Sequence, residues 1–178
     1  MQSQLKYWDC IYNIIRKTPY NNEKGVFMKA LKREIGIGIV FSVIAGILSH
    51  FVYEWSGENP IAAIFFPIDE SVWEHVKLLF FPTLFYCLFL IKKWKQIYPC
   101  IIPSVPIGIV TGSLSIPAFF YFYTAIFGTH LLVLDILIFI VSVFITFFVI
   151  YELTLSCRIS GNAGWILLVA LGVSFWVK

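Results

Sequence analysis

Five stretches of this chain carry no Asp, Glu, Lys or Arg: Ile35 to Tyr53, Leu78 to Ile91, Gln96 to Leu134, Ile136 to Tyr151 and Ile159 to Val177. Crossing the hydrocarbon core of a bilayer takes about 20 apolar residues in a helix, so each run is a span or the bulk of one. Soluble domains are about a quarter charged, whereas here 13% of residues are charged and 60% hydrophobic, which excludes a water-soluble fold. Inside lipid every backbone N–H and C=O must find a partner within the protein, and only helices and closed barrels achieve this. A barrel would show segments of roughly ten residues with alternating polarity, but these runs are continuously apolar. The fold class is therefore all-α, a polytopic transmembrane helical bundle.

About five spans are expected, near residues 35–55, 71–91, 99–127, 131–152 and 164–177, within a single bundle of residues 35–178. Residues 1–34 form a polar N-terminal segment, too long and too charged for the n-region of a cleavable signal peptide, so the first span is expected to persist in the mature protein. In that segment Leu5, Trp8, Ile11, Ile14 and Ile15 recur at helical spacing beside Lys6, Arg16 and Lys17. This pattern predicts an amphipathic helix lying in the cytoplasmic interface. Seven of the 13 basic residues precede the first span, and Lys92, Lys93 and Lys95 lie in the next connection but one, while Ser56 to Glu70 has no Lys or Arg. The positive-inside rule then places the N-terminus and the Lys92 to Lys95 loop in the cytoplasm, as part of a multi-pass protein of the cell membrane.

Pro99, Pro103, Pro106 and Pro117 either bend one long third helix or divide residues 96–130 into two short ones. One kinked helix is preferred, because two would fall below the usual span length. Gly108 with Gly112, and Ser42 with Gly46, are small residues four apart, a pattern of close helix packing. Cys10, Cys87, Cys100 and Cys157 all fall on the cytoplasmic side of this topology, where thiols stay reduced, so no structural disulfide is expected. Nucleic acid is excluded as a partner, since the basic residues are a topology signal with no recognition fold behind them.

Ionisable groups within spans are expensive and hence usually paired or functional. Here they gather towards one face of the membrane. His50 and Glu54 lie one helical turn apart near the outer end of the first span. Glu70, Glu74, His75 and Lys77 open the second, and His130 and Asp135 the fourth, with Tyr121 and Tyr123 arriving from the third as accessory groups. Imidazoles and carboxylates are the ligand set of zinc and similar divalent metals. His50, Glu54 and His75 are the candidate metal ligands, and Glu70 and Glu74 the candidate catalytic bases. A structural alternative stands beside each. Ser71 to Glu74 reads as a capping box, Glu74 can pair with Lys77 three residues on, and Lys77 is expected to take Asp135 as a buried counter-ion.

The segments His50-Phe-Val-Tyr-Glu-Trp-Ser-Gly, Asn59-Pro60 and Pro67-Ile-Asp-Glu-Ser-Val-Trp-Glu-His-Val-Lys resemble the signature of a family of small, uncharacterised bacterial integral membrane proteins. That family, grouped as a domain of unknown function, carries an NESVWEH-K segment, and this chain has Asp69 where Asn is expected. The likeness extends from the first span to the fourth, including a Phe/Tyr-rich third span and Asp135-Ile136. It implies a topology and a set of positions, and no activity. Three functions remain open: a metal-dependent membrane hydrolase acting on a lipid or an extracytoplasmic peptide, a small transporter or proton/cation-binding protein, and a non-catalytic structural or accessory subunit.

Overall fold

In the computed structural model, which describes residues 21–158 and 163–175, the described parts of the apolar runs are largely helical, and the first helix also takes in the charged residues before its run. The helices are α1 (Asn21–Trp55), α2 (Pro60–Phe65), α3 (Val72–Trp94), α4 (Ile101–Phe127), α5 (Leu132–Ser156) and α6 (Ala163–Ser174). Gly25–Trp55 of α1, and α3, α4 and α5 entire, are long and apolar enough to cross a membrane, making four such helices among the described residues. The fifth expected span appears there as a 12-residue apolar helix, which at roughly 18 Å is shorter than a bilayer core of about 30 Å. The expected interfacial helix around Leu5 to Lys17 lies outside the described residues. Internal contacts divide the chain between Lys32 and Arg33, and the packing described below concerns Arg33 onward.

Helix α1 starts well before the first uncharged run. Lys, Glu and Arg are good helix formers, so Lys29, Lys32, Arg33 and Glu34 end the apolar segment without ending the helix. Helix α4 is one continuous element of 27 residues with Pro106 and Pro117 inside it, as the single-helix reading required. It stops at Gly128, whose φ of 72° supplies the left-handed cap that glycine adopts at least cost. The loop between the first two spans contains α2, which Asn59 caps by accepting from Ile61 N–H at 2.8 Å, with Pro60 in the first turn.

The core is built on α4. It packs against α5, α3 and α6, and Ile101, Val105 and Ile109 of α4 are fully buried along with Leu79, Leu90, Val143, Phe147 and Ile150. The glycines allow the closest approaches. A methyl group on Gly108 would stand 2.8 Å from the Thr146 carbonyl oxygen, and one on Gly112 would stand 2.9 Å from that of Ser142. On α1, Gly46 leaves room for Phe139 of α5 and the Leu78 carbonyl of α3, and Ser42 is fully buried. At the opposite end of α1, Tyr86 O–H donates to the Glu34 carbonyl at 2.7 Å and Lys93 pairs with the Glu34 carboxylate at 2.9 Å.

Cys100 and Cys157 form a disulfide, with Cα atoms 5.4 Å apart, where reduced thiols were expected. Antiparallel packing brings the cap before α4 beside the cap after α5, a proximity that a sequence separation of 57 residues conceals. Lys92, Lys93 and Lys95 precede Cys100 at this same end. The redox state of the pair in cells thus reports which side of the membrane that end faces. Oxidised protein is expected to resist denaturant by about 4 kcal/mol more than reduced protein, on the chain-entropy scale for a loop of this length. Equilibrium unfolding in detergent with and without reductant measures this, and Cys100→Ser should abolish the difference.

Candidate metal centre

The sequence Asp69-Glu-Ser-Val-Trp-Glu-His-Val-Lys77 begins a helix and a cluster at the same time. Ser71 is the N-cap of α3, its hydroxyl accepting from Glu74 N–H at 3.3 Å, and its own N–H donates to Asp69 Oδ1 at 2.9 Å. One turn into the helix, His75 Nδ1 lies 2.8 Å from the Ser71 carbonyl oxygen. A carbonyl oxygen can only accept, so Nδ1 carries the hydrogen and donates it. In the neutral ring Nε2 is then left with its lone pair. A backbone carbonyl fixing the tautomer in this way is the usual outer-shell arrangement of a metal-binding histidine.

His75 Nε2 lies 3.5 Å from Glu70 Oε2, and His50 Nε2 of α1 lies 3.6 Å from the same oxygen. The two imidazole rings meet edge to face, their centroids 5.4 Å apart. One ligand atom from each of His50, Glu70 and His75 falls within 4.8 Å of the other two. Both nitrogen to oxygen separations are long for hydrogen bonds. They match the edge of a coordination tetrahedron, about 3.4 Å for metal to ligand bonds of 2.0–2.2 Å. The His50 and His75 side chains are about a third exposed and that of Glu70 is 81% exposed, so the cluster opens to solvent. It sits where α1 ends and α3 begins, beside the loop that carries α2.

The remaining candidates are distributed differently. Glu54 is exposed and is not a member of the cluster. Glu74 and Lys77 are buried to 1% and 2% exposure and form an ion pair of 2.8 Å. Glu74 Oε2 also accepts from Ile68 N–H at 3.2 Å, and Lys77 Nζ donates to the Ala63 carbonyl at 3.1 Å. The pair therefore fastens the connection from α2 to α3, on which Glu70 rides. The expected Lys77 to Asp135 ion pair is not formed. Lys77 finds its partners on its own helix and on the neighbouring loop, while Asp135 accepts from the Tyr123 hydroxyl across α4 and α5 and stands 3.8 Å from His130 Nδ1. Tyr123 O–H in turn accepts from Leu131 N–H at 3.2 Å. Tyr121 is exposed and packs on Phe120. Sequence reasoning missed the two backbone partners, Ala63 and Ile68, because loop carbonyls and amides have no signature in side-chain spacing.

Helices of membrane-spanning length, with a His/Glu cluster at the end of two of them, define an all-helical protein of membrane type. A family model matches residues 22–177, and the chain belongs to that family, the family of unknown function DUF6512. No curated protein and no solved structure matches the chain.

Proposed function

We propose that this protein is an integral membrane protein that binds one divalent transition metal through His50 Nε2, His75 Nε2 and Glu70, and that the metal serves hydrolytic chemistry at the membrane face. The observation that carries this reading is the placement of two imidazole nitrogens at tetrahedral-edge distance from one carboxylate oxygen, with the His75 tautomer set by the Ser71 carbonyl. Two histidines and one glutamate, open on one side, form a ligand set of catalytic rather than structural zinc sites. A metal in such a site supplies Lewis acidity and an acidified water at neutral pH. Within this reading Glu70 is a ligand, not a free base, and Glu74 keeps the Glu70 loop in place, its Oε2 being engaged by Lys77 and Ile68.

Elemental analysis tests the proposal. The protein is purified in detergent without chelator or polyhistidine tag, beside His50→Ala, His75→Ala, Glu70→Ala and Glu54→Ala, with helicity checked for each. Wild type and Glu54→Ala are expected to carry close to one zinc, iron or manganese per chain. The other three variants are expected to fold and lose it. Metal-free wild type after incubation with zinc, or full occupancy in His75→Ala, would sink the site.

A further inference from the structure

A groove of about 320 Å³ lies between α1 and α3, and its lining reaches Ser49, the residue before His50. Phe41, Ala45 and Ser49 line it from α1, Phe81 and Phe85 from α3, and Phe65 from the end of α2. Residues four apart share a helix face, so the groove runs along both helices. Phe41 and Phe85 lie at its far end, where the Phe41 ring also meets that of Tyr86 at 5.5 Å. The Phe65 and Phe81 rings, 5.1 Å apart, wall its middle. Every lining residue is apolar except Ser49, which sits at the near end, adjoining His50. The segment that leaves α2 at Phe66 goes on to Glu70. The lining thus comes within one residue of His50 along α1.

Resting on the metal-site reading above, we propose that this groove seats one acyl chain of a bilayer lipid, and that the ligand class of the site is an acyl lipid whose polar linkage faces His50, Glu70 and His75. The volume lies at the low end of small-molecule sites, roughly 300–1,000 Å³. The volume is far below that of a partner helix of the same length, which is about 10–12 Å wide with its side chains. From Ser49 to Phe41 the groove follows α1 for roughly 12 Å, close to the ~15 Å depth of one leaflet. Phe41 and Phe85 are 44% and 58% exposed. They belong to segments apolar enough to cross a membrane, so the surroundings of the open side are acyl chains.

The test uses full-length protein in vesicles of phosphatidylethanolamine and phosphatidylglycerol, doped with phosphatidylglycerol bearing a photoactivatable diazirine on one acyl chain. Adduct positions are mapped by peptide mass spectrometry, and metal is quantified in the same samples. With metal bound, a diazirine near the ester is expected to mark Ser49, one at mid-chain Phe65 and Phe81, and one near the chain terminus Phe41 and Phe85, several-fold above Ile44 and Phe89 outside the groove. Ala45→Trp should suppress these adducts while leaving metal occupancy intact, and Ile44→Trp should change neither. Adducts spread evenly over groove and non-groove residues in metal-loaded protein would overturn the lipid seat alone. Wild type without metal would overturn the reading beneath it, whatever the adduct pattern.

Discussion

Replacing Lys77 by Met is expected to destabilise the protein by about 3–5 kcal/mol, the usual consequence of removing one member of a buried ion pair. Glu74, 1% exposed, would be left with its charge among apolar side chains, having lost a cation 2.8 Å away. The Glu74→Leu/Lys77→Met double variant is expected to recover most of that loss, because well-packed apolar residues of similar volume replace a buried pair at little or no net cost. Asp135→Asn gives the control. Its partner is Tyr123, so its effect should add to that of Lys77→Met within about 0.5 kcal/mol, as expected of sites that share no contact. Denaturant titration in detergent, followed by the fluorescence of the six tryptophans, gives both couplings once Glu74→Leu alone and Lys77→Met/Asp135→Asn are measured beside these variants. A coupling between Lys77 and Asp135 larger than that between Lys77 and Glu74 would reject the observed pairing. The double variant also separates stability from site geometry. It should fold, yet bind metal more weakly than wild type, since Ile68 and Ala63 would no longer anchor the loop that presents Glu70.

The helices were legible because the requirement to cross lipid is written in composition: α3, α4 and α5 each start within three residues of the expected span. The continuation of α1 through Lys29 to Glu34 was not legible, for hydropathy marks where the bilayer stops and not where backbone hydrogen bonding stops. In the site, the spacing of His50 and Glu54 points to a shared helix face, which is correct for a helix but does not decide which ligand a third element brings. That element is the loop after α2, and its course depends on Glu74 and Lys77 reaching back to Ile68 and Ala63. Charge economy alone pairs Lys77 with Asp135. The structure prefers the i,i+3 partner, since a residue in the first turn of α3 can be fully buried once the α2 loop covers it. The disulfide was hidden for a related reason, as topology signals speak of compartment and say nothing of which helix ends touch.

Gly112 should be the least replaceable residue of the bundle. A methyl group there would stand 1.7 Å from Thr146 Oγ1 and 2.9 Å from the Ser142 carbonyl oxygen. The first clash involves a side chain that is itself held, since Thr146 O–H donates to the Ser142 carbonyl at 2.9 Å. The second involves backbone that cannot turn away. Gly112→Ala must therefore separate α4 from α5, which share the most extensive contact among the described helices, and is expected to destabilise by about 1–3 kcal/mol, the range for overpacking. Gly112→Leu should prevent recovery of folded protein from the membrane. Separation of these helices would also break the 2.8 Å hydrogen bond between Ser115 and Ser142, which leaves Ser115 its bond to the Gly112 carbonyl but takes a partner from the buried Ser142 hydroxyl. Thr146→Ala removes the nearer obstacle only, so Gly112→Ala/Thr146→Ala should regain part of the loss and not all of it. Thermal unfolding of the three variants in one detergent decides the matter. If Gly112→Ala proves neutral, the close approach of α4 and α5 at this glycine is wrong, and with it the packing that brings Cys100 to Cys157.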